Sequence, residues 1–595
     1  MLYRSRPARV LKTSDKLEIE LEDGSTRRVR PKDVALLHPG PVGNPRGLAA
    51  GETEVESAWE LLAGSTTTLG ELAELMYGEY TPESAWSAWQ LVADGLYFSG
   101  TPERITACSA AEIAAERAAR DARAAEAEAW AAFVKRLQHG ELAPEDAGRL
   151  GEVEALARAQ TTASRVLRAL GQRETPEKAH ALLLRVGHWD ESVNPHPARV
   201  GVATRAPTLD LPPLPEERRV DLTHLAALAI DDEDNTDPDD AVSADGDRVW
   251  VHVADVAALV QPDSPADLEA RGRGATLYLP ERTVPMLPPA AVERLGLGLT
   301  ERSPALSFAF TLKDGVICDI GVLGSWVHVT RLSYERAQSM LSERPLANLR
   351  PLAHEFRERR RARGAAFIEL PEVKLRVQEA GEILIRPLPR LESRTLVTEC
   401  MLMAGEAAAR FAIENEIAFP FSTQPPPQVR AQPRDPAAMF AHRKGLRASE
   451  IKSAPEPHAG LGLELYAQVT SPLRRYLDLI THQQLRAKLC GGAALPGPDV
   501  LTRIGAAQAV TGAVRRAERL SNRHWTLAYL KRNPDWTGRG IVVERRGPRA
   551  TLLLPDLGLE ADVHATGEVA LNAEIELRVG KVDLAALSAR FRTVP

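Results

Sequence analysis

Cysteine is scarce in this sequence. The four cysteines among 595 residues lie far apart and form no C-x-x-C pair, so neither a disulfide framework nor a zinc knuckle is predicted. Such sparse thiols are typical of proteins in a reducing compartment. The residues concerned are Cys108, Cys318, Cys400 and Cys490.

Long apolar segments and an excess of positive charge are also lacking. No uninterrupted apolar run reaches membrane-spanning length, and the charged start MLYRSRPARVLKTSDKLEIELEDG is not a signal peptide. The net charge of −7 excludes a general polycation, so any nucleic-acid-binding surface must be local. We therefore expect a soluble, cytoplasmic monomer with no membrane contact; the sequence identifies no protein partner.

The length predicts roughly four domains at about 150 residues each. Residues 1–48 alternate apolar and polar side chains around the hairpin signal Asp23-Gly24, which predicts a small β-barrel. Residues 109–195 read as an Ala-rich helical connector followed by a linker. Residues 196–533 form one long mixed α/β region, and the alternating strands of 535–595 predict a small barrel of the OB type.

Residues 50–108 predict a winged-helix-like module, because three short helices run into a hairpin. The third helix has Thr81 as its N-cap, Pro82 at its first position and Gly95 at its end. The hairpin turn is expected near Ser99-Gly100. Such a module binds nucleic acid or docks a protein, and both alternatives stay open because the recognition helix is not basic.

The stretch AIDDEDNTDPDDAV concentrates negative charge, with seven acidic residues in the ten positions 231–240. An acidic run by itself is usually a solvated loop. A calcium EF-hand loop is excluded, since Thr236 and Val242 stand where glycine and glutamate are required. Zinc is disfavoured because the run contains neither cysteine nor histidine.

The flanks of the acidic run favour a metal site. LAALAI precedes it as a buried strand, and AVSADGDRVWVHVADV follows it as a hairpin with its turn at Asp245-Gly246. A loop held at both ends by core strands, and stiffened by Pro238, can fix carboxylates in place. Converging carboxylates suit Mg²⁺ or Mn²⁺, and a pair of such ions is the usual device for hydrolysing a phosphodiester.

A second stretch, VTSPLRRYLDLITHQQL, offers cationic groups for phosphate. Ser471 and Pro472 predict the start of a helix, whose free N–H groups favour an anion. Arg474 and Arg475 then lie in the first turn, where cations are normally unfavourable unless an anion binds. The alternative is that both arginines pair with acids such as Asp478 on the same helix.

Four stretches in order, IDDEDNTDPDDAV, TLYLPERTVPMLP, LSYERA and GLGLELYAQVTSPLRRYLDLITH, resemble the signatures of the ribonuclease II (RNB) family of exoribonucleases. The resemblance covers residues 221–533, and the terminal barrel resembles the S1-type OB domain that usually follows. It implies a multidomain α+β protein with a central mixed α/β catalytic domain. It also implies Mg²⁺-dependent (with Mn²⁺ as a substitute), processive 3′→5′ hydrolysis of single-stranded RNA to nucleoside 5′-monophosphates.

The resemblance assigns a metal-binding set and a catalytic arginine. Arg474 would stabilise charge that develops on the scissile phosphate. Asp232, Glu233 and Asp234 lie outside the family pattern and are expected to be solvated. The family's four aspartates fall on Asp231, Asp237, Asp239 and Asp240, with Asp239 taken as catalytic.

The resemblance also implies RNA-binding residues beside Arg474 and Arg475. Tyr278 would stack on the 3′-terminal bases, and stacking accepts every base. Tyr334 and Glu399 match positions that handle the terminal ribose, although a buried carboxylate at Glu399 could equally pair with an arginine. Phe367 is a second stacking candidate that could as easily belong to the core. Glu518 matches a family acid whose role the residues do not reveal.

One departure from the family pattern concerns the N-terminal half. The family commonly carries two cold-shock OB domains before its catalytic part, whereas this sequence has the β-rich and winged-helix-like segments. The route by which RNA enters, and the handling of duplexes, therefore cannot be carried over from the resemblance.

Overall fold

The computed structural model describes residues 1–428, 431–564 and 569–594. The chain divides into two compact units, residues 1–139 and 140–595. Within the described residues, no helix is long and apolar enough to cross a membrane. The first unit holds the two N-terminal modules, and the second holds the mixed α/β region and the terminal barrel.

The first module is a β-rich fold, as the sequence predicts. Its antiparallel strands, paired in chain order, are β1 (Leu2–Tyr3), β2 (Arg6–Thr13), β3 (Leu17–Leu21) and β4 (Thr26–Val29). The turn between the last two strands lies at Asp23-Gly24, where Gly24 has φ +83° and donates its N–H to the Leu21 carbonyl over 2.9 Å. The Asp23-Gly24 hairpin is therefore confirmed.

The second module has the predicted winged-helix-like order of three helices and a hairpin. Its elements are α1 (Val55–Leu62), β5 (Thr66–Thr67), α2 (Leu69–Tyr77), α3 (Pro82–Asp94), β6 (Phe98–Thr101) and β7 (Arg104–Ala107). The Thr81 side chain accepts the Ser84 N–H over 3.2 Å, and Gly95 ends α3 in the left-handed conformation. Both predicted ends of this helix are confirmed.

The turn of this hairpin differs from the prediction. It lies at Pro102 and Glu103, whereas Ser99 and Gly100 belong to β6. A Cβ added at Gly100 would lie 2.2 Å from the Arg104 carbonyl oxygen. Gly100 therefore allows the two strands to approach closely, because a side chain would not fit there, and it does not mark the turn.

A run of helices follows the hairpin. The Ala-rich stretch forms α4 (Ala110–His139), which closes the first unit as one helix of 30 residues. The second unit opens with α5 (Gly151–Ala157), α6 (Arg165–Ala169), α7 (Pro176–Arg185) and α8 (His196–Val200). Residues 202–219 contain neither helix nor strand, in keeping with the proline-rich boundary segment of the sequence.

A seven-stranded mixed sheet forms the centre of the α/β region. Its strands are β8 (Val220–Asp221), β9 (Ala227–Asp231), β10 (Asp240–Asp245), β11 (Arg248–Ala254), β14 (Ser303–Lys313), β15 (Val316–Val327) and β16 (Val329–Ser333). They lie in the order β16-β9-β10-β11-β14-β15-β8, with the two outer pairs parallel and the four inner pairs antiparallel. A separate hairpin pairs β12 (Leu277–Leu279) with β13 (Arg282–Val284).

Both faces of the seven-stranded sheet are buried under helices. Leu228 and Ile230 of β9 belong to one hydrophobic core, and Ala227 and Ala229 to a second on the opposite face. This alternation follows from the two-residue period of a strand. The covering helices are α9 (Pro265–Arg273), α10 (Pro289–Leu295), α11 (Tyr334–Ser339), α12 (Leu346–Ala362), α13 (Glu392–Glu414), α15 (Tyr476–Leu489) and α16 (Gly497–Arg532). A further helix, α14 (Pro436–Gly445), packs on the terminal barrel instead.

Two short two-stranded sheets and the terminal barrel complete the second unit. One is the hairpin of β17 (Val373–Val377) and β18 (Ile383–Pro387), and the other pairs β19 (Phe421–Thr423) with β20 (Glu450–Lys452) across the segment that contains α14. The barrel consists of β21 (Thr537–Arg546), β22 (Arg549–Leu554), β23 (Leu559–His564), β24 (Glu574–Asp583) and β25 (Ser588–Thr593). Its antiparallel order β23-β22-β21-β24-β25 agrees with the predicted OB-type module.

Candidate active site

The acidic run forms a loop, here called the acidic loop (residues 231–240), that joins β9 to β10. Asp231 is the last residue of β9 and Asp240 the first of β10, so both carboxylates start from interior strands of the sheet. The carbonyl of Asp239 accepts the Ala254 N–H over 2.8 Å, which ties the end of the loop to β11. The loop is thus held at both ends by core strands, as the sequence predicts.

Four aspartates of the acidic loop act on one another: Asp239 and Asp240 are buried, and Asp231 and Asp237 are partly buried. Burial raises the pKa of Asp239 well above its usual value, and the charges of Asp237 and Asp240 add to this while Arg474 opposes it. Burial likewise raises the pKa of Asp240 to about 7, with a contribution from Asp231. The pKa of Asp231 is raised by burial and by the neighbouring Asp237. These carboxylate charges therefore repel their neighbours in the loop, and a cation placed among them would be stabilised.

Arg474 provides the positive charge at this cluster. Its Nε lies 2.9 Å from Asp239 Oδ2, and its Nη2 lies 3.8 Å from Asp240 Oδ1. The pair with Asp239 is an ion pair without hydrogen-bond geometry, since neither atom has a hydrogen-bond partner. The other oxygen of Asp239, Oδ1, accepts the Leu473 N–H over 2.8 Å. Asp239 is thus fixed through Oδ1, whereas Oδ2 keeps a lone pair available.

The donor chemistry of the acidic loop fits a hard divalent cation. Carboxylate oxygens are the ligands that Mg²⁺ and Mn²⁺ prefer. The buried Oδ2 of Asp239, which accepts no hydrogen bond, is a further sign that a ligand belongs here. Among the described residues, no three acidic, histidine or cysteine side chains are already assembled into a metal site. The loop therefore presents suitable ligands rather than a finished coordination cage.

The segment that was predicted to start a helix at Ser471 is a turn, and α15 begins at Tyr476. The Arg475 N–H donates to the Ser471 carbonyl over 2.9 Å. Asp478, in the first turn of α15, accepts the Ser471 N–H over 2.9 Å and Arg475 Nη2 over 2.8 Å. The predicted helix start is wrong because Asp478 draws the chain at Ser471 into a separate turn. Of the two alternatives for Arg475, phosphate binding or pairing with Asp478, the structure contains the pairing with Asp478.

Tyr278 lies beside the acidic loop. Its hydroxyl donates to Asp237 Oδ2, and its main-chain N–H donates to Glu518 Oε1 over 2.9 Å. The residue is 39% exposed, so it is partly accessible to a ligand. Glu518, whose role was open, therefore supports the backbone of the hairpin that carries Tyr278.

Tyr334 also lies near the acidic loop, at the first position of α11. Burial raises the pKa of its hydroxyl, and the charges of Asp231 and Asp240 contribute. The guanidinium carbon of Arg394 lies 3.9 Å from the centre of the Tyr334 ring, and Arg394 also pairs with Asp232 at 2.8 Å. The ring is thus covered on one face by a cation that the acidic loop holds in place.

Glu399 and Phe367 form a separate group around arginines. The Arg360 Nη1 donates to both carboxylate oxygens of Glu399 at 2.9 Å, and Glu399 is only 2% exposed. The arginine-pairing alternative is therefore the one present in the structure. Phe367 is half-buried among guanidinium groups, with the carbon atoms of Arg357, Arg361 and Arg360 at 4.7, 5.1 and 5.3 Å from its ring centre.

Two acids that were expected to be solvated are paired with bases. Asp232 contacts Lys374 and Arg394 at 3.3 and 2.8 Å, and Asp234 pairs with Lys374 and with Arg376, the latter at 2.6 Å. The prediction is wrong for these two residues. Their partners lie about 140 or more positions away along the chain, so no local pattern could reveal them.

Family models match three parts of the chain. The RNB domain matches residues 219–491, a double helix-turn-helix (HTH) domain matches residues 110–195, and the C-terminal S1 domain of RNase II-type exonucleases matches residues 536–594. The second match falls on the stretch for which the sequence predicted only a helical connector. The first and third coincide with the mixed α/β region and the terminal barrel.

Individual proteins are similar over most of the chain. An uncharacterised ribonuclease of Synechocystis is 31% identical over 627 residues, which cover 96% of this chain and 94% of that protein. The structure of an active-site mutant of the Dss1 exoribonuclease of Candida glabrata has a TM-score of 0.66 and 18% identity, covering 88% of this chain and 79% of that one. Mycoplasma genitalium RNase R, solved with ribose-methylated single-stranded RNA, has a TM-score of 0.57 and 17% identity, covering 71% and 79%.

Proposed function

The chain belongs to the ribonuclease II (RNB) family of 3′→5′ exoribonucleases, and we propose that it degrades single-stranded RNA processively, with Mg²⁺, to nucleoside 5′-monophosphates. The observation that carries this proposal is the group of close aspartates around the buried Asp239 and Asp240, whose pKa values stay raised even though Arg474 contacts both residues. Such a surplus of negative charge is suited to an enzyme that recruits divalent cations to a phosphodiester.

The metal ligands in this proposal are the aspartates of the family pattern: Asp231, Asp237, Asp239 and Asp240. When bound, Mg²⁺ (or Mn²⁺) supplies Lewis-acid activation of water and neutralises charge on the phosphate. The protein holds Asp239 from two sides, through the Leu473 N–H and through Arg474. Arg474 is also suited to stabilise the negative charge that develops on the scissile phosphate.

Residues around the acidic loop are proposed to hold the 3′ end of the RNA. Tyr278 offers a partly exposed ring beside Asp237, which suits stacking on a terminal base. Tyr334 lies near Asp231, where its hydroxyl could bind the terminal ribose or phosphate. Glu518 supports Tyr278 through its backbone.

The remaining family positions are proposed to act further along the strand. Phe367 is a candidate second stacking aromatic that is half-buried, and the guanidinium groups beside its ring are suited to contact RNA phosphates. Glu399 is held by Arg360, so it would act on RNA through that arginine or only after the pair opens. Arg475 is engaged by Asp478 and is proposed to shape the turn that carries Arg474.

We further propose that the enzyme works as a cytoplasmic monomer. All four cysteines are unpaired thiols, which suits a reducing compartment. The acidic loop, Arg474 and Tyr278 come from a single chain, so no second copy is required to complete the site.

The proposal is tested with the full chain and RNA labelled at its 5′ end. We expect shortening from the 3′ end in Mg²⁺, none in EDTA, and recovery when excess Mg²⁺ or Mn²⁺ is added. Thin-layer chromatography of uniformly labelled RNA should identify nucleoside 5′-monophosphates. DNA of the same sequence is the substrate control, and an unlabelled RNA trap added after binding tests processivity. RNA binding in Mg²⁺ without release of nucleotides would contradict hydrolysis and indicate a binding protein.

A further inference from the structure

The hairpin β17–β18 lies between the acidic loop and the terminal barrel. Along β17, side chains alternate in direction, as they must in a strand. Lys374 and Arg376 reach the acidic loop. Leu375 and Val377, on the other face, pack against the hydrophobic cluster of the barrel and the end of α16. One strand therefore contacts two elements that are remote in sequence.

The contacts with the acidic loop involve acids outside the metal-binding pattern. Lys374 pairs with Asp234 and lies 3.3 Å from Asp232, and the Arg376 Nε lies 2.6 Å from Asp234 Oδ2. From the side of α13, Arg394 Nη2 lies 2.8 Å from Asp232 Oδ1. The stretch of loop that follows Asp231 is thus held from both sides by cations.

The contacts with the barrel are apolar and close. Ile383 of β18 is buried in the same cluster as Leu552 of the barrel. A Cβ added at Gly558, in the turn between β22 and β23, would lie 2.7 Å from Val373 Cγ2, so this turn abuts β17 directly. The hairpin tip is held as well, because Arg532 at the end of α16 donates to the Gly381 carbonyl over 2.6 Å.

We propose that Lys374 and Arg376 are positioning residues for the acidic loop, and that their hairpin makes the terminal barrel part of that support. This inference rests on the proposed metal-dependent function. A loop of mutually repelling carboxylates would spread apart before a cation arrives, and each fixed position lowers the cost of assembling the site. Asp232 and Asp234 serve as attachment points because they are not needed as ligands.

Removing the two cations distinguishes positioning from simple electrostatics. Without Lys374 and Arg376 the acidic loop is more negative, so electrostatics alone predicts tighter Mn²⁺ binding. Positioning predicts weaker binding, by about tenfold as for other residues that orient metal ligands. Electron paramagnetic resonance measures the Mn²⁺ affinity of the full chain. We compare the wild type, the double variant Lys374→Met/Arg376→Met and the control Arg386→Met. Arg386, exposed and opposite Lys374 in the hairpin, controls for the loss of one positive charge from the same hairpin.

Hydrogen exchange in EDTA provides a readout that needs no metal. We expect faster exchange in residues 232–237 for the double variant and unchanged exchange for Arg386→Met. Leu375→Ala, which changes no charge and faces the barrel, should also speed exchange in the loop and weaken Mn²⁺ binding. Leu375→Val is the milder change if the alanine variant fails to fold.

The outcomes separate the two parts of the inference. Equal or tighter Mn²⁺ binding by the double variant, with unchanged exchange, overturns positioning. If neither substitution at Leu375 changes hydrogen exchange in the acidic loop or Mn²⁺ binding, the proposed role of the barrel is overturned. A wild-type chain that binds no Mn²⁺ overturns the metal site of the proposed function, while the exchange experiment still decides whether the hairpin orders the loop.

Discussion

Buried carboxylates at two places in the α/β region are neutralised to different extents. Glu406 on α13 is fully buried and pairs with both Arg359 and Arg410, at 3.0 and 2.6 Å, so two cations face one acid. At the acidic loop, four aspartates act on one another and Arg474 is the cation that contacts Asp239. The first arrangement is complete within the protein, whereas the second has a surplus of negative charge.

The difference separates a structural ion pair from a site that awaits a ligand. Burying charge is unfavourable unless partners compensate it, and at Glu406 the chain itself supplies them. At Asp239 the compensation is partial, because burial keeps the pKa well above its usual value despite Arg474. Sites of this kind give up stability so that a substrate or metal can complete them.

The largest expected effect is on catalysis at Asp239. Asp239→Asn removes the charge of one proposed metal ligand while keeping the shape, and we expect kcat to fall by at least about 10²–10³-fold. RNA affinity should be retained in filter binding, because no RNA contact is assigned to Asp239. The control is Asp245→Asn, an exposed acid at the far end of β10. Full activity of Asp239→Asn would remove the distinction between the two groups of carboxylates.

The next effect is on stability at Glu406. Glu406→Gln leaves two arginines without their carboxylate, and removing one member of a buried pair typically costs about 3–5 kcal/mol. Since Arg410 remains a quarter exposed, we expect a loss of about 2–3 kcal/mol in the free energy of unfolding. Denaturant unfolding in EDTA measures it, with Glu414→Gln on the exposed end of the same helix as control. A loss no larger than that of the control would mean that the pair is not structural.

A smaller effect of opposite sign is expected for the stability of Asp239→Asn without metal. The pKa of Asp239 is higher in the folded chain than in the unfolded chain, so its charged form at pH 7 opposes folding. The neutral amide should therefore raise the free energy of unfolding in EDTA, by about 1 kcal/mol. If this variant is instead destabilised as much as Glu406→Gln, Asp239 belongs with the structural pairs.

The smallest effect is expected at the rim of the acidic loop. Tyr278→Phe removes the hydrogen bond to Asp237 but keeps the aromatic face, and a bond to a charged group at a partly exposed site contributes about 1 kcal/mol. We expect about a fivefold fall in kcat, measured by nucleotide release under saturating RNA. Tyr278→Ala should do more, and should lengthen the end product, because it also removes the stacking surface. Equal effects of the two substitutions would argue against stacking.

Short-range features of the fold were predictable from the sequence. The Asp23-Gly24 hairpin, the Thr81 cap and the strand–loop–strand order around the acidic loop each depend on a few neighbouring residues. The hairpin turn at Pro102 was misplaced because Gly100 serves strand packing, which the local sequence does not distinguish from a turn.

The candidate site was predictable in its residues but only partly in its contacts. The family pattern identified the aspartates, Arg474 and Tyr278, and the structure brings them together. The helix start at Ser471 failed because Asp478, seven residues later, takes the Ser471 N–H. The attachment of Asp234 to the hairpin could not be seen at all, since nothing near it in the sequence is basic.

The sequence by itself determined where negative charge is concentrated and that strands flank it, because alternation and turn signals act over a few residues. Only the tertiary structure decided which cations meet that charge. Leu473 and Arg474 reach Asp239 across more than 230 positions of chain, and Arg360 meets Glu399 through the packing of α12 on α13. Charges attract without regard to sequence distance, so their pairing is settled by how the helices and strands pack.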